Sequence, residues 1–197
     1  MSEIRVAGVD EAGRGALAGP VVCAAVILRN DVHIDGLTDS KKLSYEKRRK
    51  LSKEIKKKCL CWSIGTGSVE EIDQYNILKS TMLGMKRAIE TLSIVPDHVL
   101  IDGNQLPNIR IPAQAIVKGD LYVPVISAAS ILAKHTRDKL MHAYKKEYPE
   151  YGFQTNVGYG TPYHLEALRK YGATAIHRRS FAPVHEVIER DNPGIFS

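Results

Sequence analysis

Four carboxylates of this chain follow apolar or glycine-flanked segments; they are Asp10, Glu11, Asp102 and Asp120. If these acids converge in one pocket, their charges repel and raise each other's pKa unless a counter-charge is bound. Two Mg²⁺ or Mn²⁺ ions would supply that charge, and both ions prefer oxygen ligands. Such a pair of ions holds the attacking water and the leaving oxygen of an in-line phosphoryl displacement. Convergence of the four acids would therefore indicate metal-dependent phosphoryl chemistry.

The alternative is that these acids belong to ordinary turns. Asp102 precedes a glycine and Asp120 follows one, and both pairings are common in turns. Asp10 and Glu11 could likewise be solvated acids of a surface turn. That alternative is less favoured for the first pair, because a second apolar run begins soon afterwards, at residues 21–28. For the other two acids, spacing alone leaves both interpretations open.

The first pair of acids closes an apolar run, residues 4–10, that predicts a buried strand. Alternation along a strand sends the side chains of Asp10 and Glu11 to opposite faces of the sheet. Both can line one site only if the strand ends there, and the glycines of Gly13-Arg14-Gly15 indicate that it does. Acids at a strand end, beside bare main-chain amides and one arginine, suit a divalent cation and a phosphate.

Hydrophobic periodicity predicts the elements that must position these acids. The predicted strands span residues 4–10, 21–28, 60–67, 99–101 and 111–117. The predicted helices span residues 45–57, a short segment after a capping box that begins at Ser68, a longer segment across residues 78–92, and residues 128–144. Ser44 and Ser127 are the predicted N-caps of the first and last helices. Strands in a run, followed by alternating strands and helices, predict an α/β fold with a mixed sheet and helices on both faces.

Asp138 has two interpretations. It lies four residues after Lys134 on the predicted helix over residues 128–144, a spacing that allows an ion pair. It could instead support the metal pocket from behind, with Ser127 as a second supporting group. The sequence leaves both interpretations open.

The composition is that of one domain, residues 1–197, with ordinary apolar and charged fractions. The sequence has no apolar stretch long enough to span a membrane and no signal-peptide pattern at its start. Cys23, Cys59 and Cys61 have neither the spacing of a disulfide framework nor that of a zinc site. We therefore expect a cytoplasmic protein without a membrane partner.

The formal net charge of +6 predicts attraction to polyanions. Basic side chains cluster within residues 41–58 and again within residues 169–179. In the second group, Arg178 and Arg179 could contact a DNA strand, although a solvated surface is the favoured interpretation. The clustering favours a nucleic-acid partner.

With these residues in view, the chain resembles the ribonuclease HII family, the type 2 ribonucleases H of bacteria, over nearly its whole length. Six motifs in a fixed order carry the resemblance; they are Gly8-Val9-Asp10-Glu11-Ala12-Gly13-Arg14-Gly15 with Gly19-Pro20, Asp39-Ser40-Lys41-Lys42-Leu43, Ile101-Asp102-Gly103, Lys118-Gly119-Asp120, Ser127-Ala128-Ala129-Ser130-Ile131-Leu132-Ala133-Lys134 and Gly158-Tyr159-Gly160-Thr161. The resemblance implies a ribonuclease H-like mixed sheet flanked by helices, with a core over about residues 1–145 and a C-terminal helical segment over about residues 146–197.

The resemblance also implies roles for individual residues. The four acids would be the metal-binding catalytic groups, with two Mg²⁺ or Mn²⁺ ions in the active complex. Gly13-Arg14-Gly15 matches the family's loop that senses the ribose 2′-hydroxyl, the group that distinguishes RNA from DNA. Tyr159 matches a tyrosine that packs on the sugar after the ribonucleotide. Lys41 and Lys42 would contact substrate phosphate or order the carboxylates.

The implied activity is hydrolysis of the RNA strand of RNA–DNA hybrids, with incision 5′ of ribonucleotides embedded in duplex DNA. The products would carry 5′-phosphate and 3′-hydroxyl ends, and the implied roles are ribonucleotide excision and RNA primer removal. A DNA-directed nuclease or resolvase on the same fold stays open, as does a non-catalytic hybrid-binding protein. We expect a monomer, with a sliding-clamp contact through Gly194-Ile195-Phe196 as a hypothesis.

Overall fold

The computed structural model describes residues 4–37 and 40–194, except for the side chain of Lys41. Asp39 of the second motif and residues 195–197, which include most of the hypothesised clamp segment, therefore lie outside the described residues. Within the two described ranges, none of the helices combines the length and the apolar composition that a membrane crossing needs.

The strands and helices follow each other in the order that the sequence predicts. The strands are β1 (Val6–Ala12), β2 (Val21–Ile27), β3 (Cys61–Gly67), β4 (His98–Asp102) and β5 (Ala113–Ile116). The helices are α1 (Tyr45–Lys58), α2 (Val69–Tyr75), α3 (Ile77–Glu90), α4 (Gly119–Tyr122), α5 (Pro124–Ala143), α6 (Phe153–Asn156), α7 (Pro162–Tyr171) and α8 (Ala182–Asp191). The predicted N-cap at Ser44 and the capping box at Ser68 are both confirmed.

In the described part of the chain, the strands form a five-stranded sheet in the order β3-β2-β1-β4-β5. β2 is antiparallel to both β1 and β3, whereas β4 is parallel to both β1 and β5. The mixed sheet is therefore confirmed. The ladder between β1 and β4 ends where Val9 pairs with Ile101, whereas the ladder between β1 and β2 continues to Ala12. The two acids that follow Val9 therefore lie beyond the end of one ladder.

Helices cover both faces of the sheet, as the order of elements predicts. One face packs against α3 through Met85, Ala88 and Ile89. The other face packs against α5, and α1 contributes Ile55 to the same core. β2 lies between two strands and two helical layers, and all seven of its residues are buried. This explains its continuous apolar sequence, which is typical of a strand covered on both faces.

The start of α5 approaches the sheet closely at Gly8. A Cβ atom placed on Gly8 would lie 2.3 Å from the main-chain carbon and oxygen of Val125, in the first turn of α5. The start of α5 therefore rests directly on the main chain of β1, on the face that Asp10 shares with Gly8. This contact sets the distance between α5 and the first acid.

The predicted end of β1 is wrong. The strand does not stop at Asp10 but continues to Ala12, because the main chain from Asp10 onward remains paired with β2. After Val9, the other edge of β1 is no longer paired with β4, because that ladder has ended. Asp10 and Glu11 are therefore strand residues at a gap beside β4.

The predicted start of α5 is also wrong. The helix begins at Pro124 rather than near Ala128, because proline suits the first turn of a helix, where its missing N–H is not needed. Ser127 is therefore inside the first turn and is not an N-cap. Its hydroxyl donates to the carbonyl oxygen of Asp120 at 2.6 Å and to that of Val123 at 3.2 Å, so it joins α5 to α4.

The chain after α5 folds back against the loop between β1 and β2, residues 13–20, which we call the β1–β2 loop. Its helices pack around buried aromatic residues that include Tyr151 and Phe153. Ala18 of the loop forms a β-bridge with His177, and the amide of Leu17 donates to the carbonyl of Gly158 at 2.8 Å. The predicted C-terminal helical segment is thus present, and it supports the loop that follows the first two acids.

We expect Gly8→Ala to lower the free energy of unfolding by about 3 kcal/mol, because the added methyl group overlaps the main chain of α5. Urea titration of the wild-type protein and the variant measures this difference. Val95→Ala, at a side chain that is 68% exposed, is the control and should change stability by less than about 0.5 kcal/mol. Equal stability of Gly8→Ala and the wild-type protein would contradict the close contact.

Candidate active site

A cavity of about 710 Å³ lies beside the ends of β1 and β4. Acidic residues, loop residues, hydroxyl and basic side chains and one tyrosine form its wall; they are Asp10, Glu11, Ala12, Gly13, Arg14, Gly15, Ser40, Leu43, Arg48, Asp102, Ser130, Lys134 and Tyr159. The cavity therefore joins three of the four predicted acids to the predicted ribose-sensing loop and the predicted sugar-packing tyrosine.

Asp10 and Glu11 both reach this cavity although they alternate along β1. Asp10 is buried on the side of α5, and its carboxylate accepts the amide N–H of Glu11 at 2.7 Å. The carboxylate of Glu11 lies 3.6 Å from the guanidinium of Arg14. Because the ladder to β4 ends before this point, the gap beside β1 is open to side chains from both of its faces.

Asp102 is the last residue of β4, and its neighbour in the site is Asp120. The amide N–H of Asp120 donates to the Oδ1 atom of Asp102 at 3.3 Å. The turn before α4 makes this approach possible, because a Cβ on Gly119 would lie only 2.5 Å from the side chain of Ile126. Asp120 is itself buried and is not among the residues that line the cavity. The structure thus places Asp120 beside Asp102, among the residues that do not line the cavity.

The acids of the cavity destabilise each other's charged forms. Burial raises the pKa of Asp10 well above its usual value, and the charges of Glu11 and Asp102 raise it further, while a hydrogen bond from Ser130 opposes them. Burial also raises the pKa of Glu11, an effect that Arg14 opposes and Asp102 reinforces. Such a cluster attracts positive charge.

The described residues contain no preassembled metal centre. Across residues 4–37 and 40–194, no three His, Cys, Asp or Glu side chains lie close enough together to hold an ion as they stand. The donor chemistry nevertheless suits a hard cation, since Asp10, Glu11 and Asp102 offer only oxygen atoms. These three acids could hold divalent ions after adjustment of their side chains.

Asp138 does not line the cavity but binds two basic residues that do. Its carboxylate accepts from the ammonium group of Lys134 at 2.7 Å and from the guanidinium of Arg48 at 3.0 Å. The side chain of Asp138 is only 4% exposed, so the ion pairs are buried. Of the two interpretations that the sequence left open, the structure shows the pair with Lys134 and adds a second partner from α1.

Arg48 is a functional candidate that sequence reasoning did not single out within the basic cluster of α1. Its guanidinium also donates to the carbonyl of Ser40 at 2.9 Å and to that of Leu43. A sequence signal was present, because Arg48, Ser52 and Ile55 follow each other at helical spacing and are the buried residues of this helix. An arginine on the apolar stripe of a helix indicates an internal partner.

The β1–β2 loop is held by a buried arginine from the C-terminal segment. Arg178 donates to the carbonyl oxygens of Gly13 at 2.7 Å, Arg14 at 2.8 Å and Gly19 at 2.9 Å. The favoured prediction that Arg178 is solvated is therefore wrong, because the three carbonyl groups replace water around its charge. Arg179 is exposed, as predicted.

Arg137 is a second buried arginine, and the sequence analysis overlooked it. Its guanidinium donates to the carbonyl oxygens of Ala18, Pro20 and Val157 at 3.0, 3.1 and 2.8 Å. It also packs against Gly13, where φ is +96° and a Cβ atom would lie 1.9 Å from the Arg137 Nε atom. Gly13 therefore serves both a left-handed turn and a close contact.

Tyr159 stands beside the loop and lines the same cavity as Asp102. A Cβ on Gly15 would lie 4.0 Å from the ring of Tyr159, and the ring is partly exposed. The ammonium group of Lys134 and the guanidinium of Arg137 lie 5.6 and 5.5 Å from the ring centroid. Such contacts between a cation and an aromatic face help to fix the ring.

The predicted contact of Lys42 is not part of this wall. Lys42 is exposed and does not line the cavity. The side chain of Lys41 lies outside the described part of the chain. The basic residues that line the cavity are Arg14, Arg48 and Lys134.

We expect Asp138→Asn to lower the free energy of unfolding by about 3 kcal/mol, because it leaves two basic groups without their buried counter-charge. Urea titration measures the loss. The matched control is Glu46→Gln, which breaks an ion pair of similar length with Arg49 at an exposed site and should change stability by less than about 0.5 kcal/mol. Similar results for the two variants would show that the Asp138 pairs contribute no more than a surface pair.

Comparison with known proteins identifies the family of the chain. The sequence profile of the family described as Ribonuclease HII matches residues 7–184. The ribonuclease HII of Coxiella burnetii is 54% identical over 186 residues, which cover 94% of this chain and 92% of the relative. The family match includes every residue that lines the cavity.

Solved structures show the same fold. The crystal structure of ribonuclease H2 from Pyrococcus horikoshii OT3 matches with a TM-score of 0.81 and 27% identity, and covers 95% of this chain and 98% of that one. The ribonuclease HII in the complex with PCNA from Archaeoglobus fulgidus matches with a TM-score of 0.72 and 26% identity, over 90% and 95% of the two chains. The predicted ribonuclease H-like fold is confirmed, and the chain belongs to the ribonuclease HII family and is a ribonuclease H.

Proposed function

We propose that the chain is a metal-dependent endoribonuclease that cuts the RNA strand of RNA–DNA hybrids and incises 5′ of single ribonucleotides in duplex DNA. The observation that carries the proposal is one cavity whose wall includes the acids Asp10, Glu11 and Asp102 together with Gly15 and Tyr159. The products would carry 5′-phosphate and 3′-hydroxyl ends. Such an activity serves ribonucleotide excision and RNA primer removal.

Asp10, Glu11 and Asp102 would hold the divalent ions, with Asp120 beside Asp102 as the fourth acid. The donor set fits Mg²⁺ or Mn²⁺, because its atoms are carboxylate oxygens. Burial and neighbouring negative charges raise the pKa of Asp10 and of Glu11, so a bound cation would stabilise their charged forms. When bound, two such ions activate a water molecule and stabilise the leaving 3′-oxygen. The task of the protein is to hold the four acids at the phosphate that is cut.

The loop and the tyrosine would select the ribonucleotide. Gly13-Arg14-Gly15 would bring main-chain groups close to the sugar, because Gly15 has no side chain to keep it away and the space beside it is open. A ribose 2′-hydroxyl both donates and accepts hydrogen bonds, whereas deoxyribose leaves these main-chain groups without a partner. The ring of Tyr159, next to Gly15, would pack on the sugar that follows. A single ribonucleotide would then suffice for recognition.

The basic groups of the cavity and of α1 would attract the phosphate backbone. Lys134 and Arg48 line the cavity, and Lys41 and Lys42 precede α1. The formal charge of +6 supports binding of a polyanion. We further propose that residues 1–197 act as one catalytic domain, in the cytoplasm and as a monomer.

A duplex DNA with one ribonucleotide tests the proposal, beside an all-DNA duplex and a long RNA–DNA hybrid, with Mg²⁺, Mn²⁺ or a chelator. We expect cleavage of the ribonucleotide duplex and the hybrid only when metal is present, because the acids need it to bind phosphate. Asp10→Asn should lower the rate at least about a hundredfold, as the loss of a main electrostatic group does. Denaturing gels of end-labelled strands measure the rates.

Asp35→Asn is the matched control, since Asp35 is 98% exposed on a loop and should leave the rates unchanged. Cleavage of the all-DNA duplex would replace the proposal with the DNA-directed nuclease. Metal-independent binding without any cleavage would replace it with the hybrid-binding protein. Cleavage of the long hybrid alone would leave the acids in place and remove the role of Tyr159.

A sliding clamp is a further proposed partner, and the complex of the Archaeoglobus fulgidus relative with PCNA supports it. We expect deletion of residues 194–197 to weaken clamp binding at least about tenfold, because apolar terminal residues often act as anchors of an interface. Surface plasmon resonance with immobilised clamp measures the affinity. Unchanged binding would remove this hypothesis without affecting the catalytic proposal.

A further inference from the structure

Two histidines that have no part in the proposed chemistry lie behind Tyr159. His164 of α7 and His177 of the following loop are 0% and 1% exposed, respectively. Their Nε2 atoms are 3.0 Å apart, so the rings are joined by a hydrogen bond. Buried imidazoles that bind each other directly are costly unless every ring nitrogen has a partner.

The other nitrogen of each ring contacts the main chain. The Nδ1 atom of His177 is 3.0 Å from the amide nitrogen of Thr174 and 2.8 Å from the Thr174 hydroxyl. The Nδ1 atom of His164 is 2.9 Å from the carbonyl oxygen of Tyr159. The two rings therefore connect one main-chain donor to one main-chain acceptor.

These end groups fix every proton in the line. An amide N–H can only donate, so Nδ1 of His177 accepts and its Nε2 carries the hydrogen. That hydrogen is donated to Nε2 of His164, whose remaining hydrogen is on Nδ1. A carbonyl can only accept, so Nδ1–H of His164 donates to Tyr159. One pair of neutral tautomers satisfies all the contacts, and an added proton on either ring would break one of them.

The surroundings keep both rings neutral. Tyr151 and Phe153 pack against the two imidazoles, with ring centroids 5.1 to 6.3 Å away. The cation next in the chain, Arg178, directs its guanidinium to the β1–β2 loop. Burial and then the charge of His164 lower the pKa of His177 to about 3, and burial lowers that of His164. The line therefore persists across the neutral pH range.

The line ends on the residue that faces Gly15. The Tyr159 carbonyl accepts from the amide of Thr161 at 2.8 Å as well as from His164, and the Tyr159 amide donates to Asn156 at 2.9 Å. These contacts hold the main chain of Tyr159, while its ring remains partly exposed at the cavity. The contact from His164 is the one that comes from a side chain, in the first turn of α7.

We propose that His164 and His177 are positioning residues, which fix the main chain of Tyr159 through a directional line of hydrogen bonds and so set the selectivity for a ribonucleotide embedded in DNA. The inference rests on the proposed function, in which Tyr159 packs on the sugar. Neither histidine touches the substrate. Their effect is to hold the ring of Tyr159 at a fixed position relative to Gly15. A displacement of about 1 Å in such a group can change a rate by up to about a hundredfold.

The test compares kcat/KM for the duplex with one ribonucleotide and for the long hybrid, in the presence of Mg²⁺. We expect His164→Leu to lower the ratio of the two values about tenfold, because the Tyr159 carbonyl loses its partner from α7. His164→Asn keeps an N–H in the place of Nδ1 and should restore the ratio to within about threefold of the wild-type value. His33→Leu, at a side chain that is 88% exposed, is the control and should leave the ratio unchanged.

The double variant with Tyr159→Ala separates positioning from a general structural role. If His164 acts through Tyr159, His164→Leu should change the ratio no further in that background, since coupled residues are not additive. Equal losses on both substrates, or additive losses in the double variant, would overturn the inference. If Tyr159→Ala itself leaves the ratio unchanged, the proposed role of Tyr159 falls and the inference falls with it. Loss of the ratio in Tyr159→Ala but not in His164→Leu overturns the inference alone.

The tautomers provide a measurement on the unmodified protein. Long-range ¹H–¹⁵N NMR of the imidazole rings at pH 7 should show His177 with its hydrogen on Nε2 and His164 with its hydrogen on Nδ1. This result does not depend on the folding of any variant. Two rings with the same tautomer, or a charged ring at this pH, would overturn the proposed line.

Discussion

The burial of two guanidinium groups against main-chain carbonyls is the interaction on which the substrate side of the cavity depends. Arg137 and Arg178 are both fully buried, and each donates to three carbonyl oxygens. A buried charge is tolerated only when such partners replace water. The requirement works in both directions, because the carbonyl groups of the β1–β2 loop must also keep the orientation that the arginines need. The β1–β2 loop is therefore held in one conformation.

Acidic and basic residues line the same cavity, and two of the basic residues pair with an acid that does not line it. Asp10 lies beside the end of the ladder to β4, and burial destabilises its charged form. Arg48 and Lys134 are close by, but Asp138 accepts hydrogen bonds from both of them. The charges of Arg48 and Lys134 are thus balanced by Asp138, which does not line the cavity. This separation leaves the acids available to a divalent ion and keeps the basic groups in place for a phosphate.

Local patterns predicted much of this fold. The cap at Ser44 and the capping box at Ser68 were predictable because they depend on residues three positions apart. The position of acids after buried strands made convergence of Asp10 and Asp102 one of two open interpretations, and the structure decides for it, since the neighbouring strands β1 and β4 are parallel. The start of α5 was mispredicted because a serine three residues after a proline resembles a cap.

What the sequence concealed were the contacts between distant segments. Arg137 and Arg178 are indistinguishable from surface arginines until their carbonyl partners are known, because those partners are main-chain atoms of other segments. His164 and His177 were concealed although their main-chain partners, Tyr159 and Thr174, lie only five and three positions away. A main-chain group carries no signature in the sequence, so a buried polar side chain that binds one is found only in three dimensions.

The tie between Gly13 and Arg178 has a consequence for the order of folding, because it joins residues 165 positions apart. Contacts between such distant segments form late, since closing a long loop of chain is entropically unfavourable. As the chain leaves the ribosome, the strands that bear Asp10 and Asp102 are complete long before Arg178 emerges. The loop that would discriminate RNA from DNA is thus synthesised early, but it gains its support from Arg178 only near the end of synthesis.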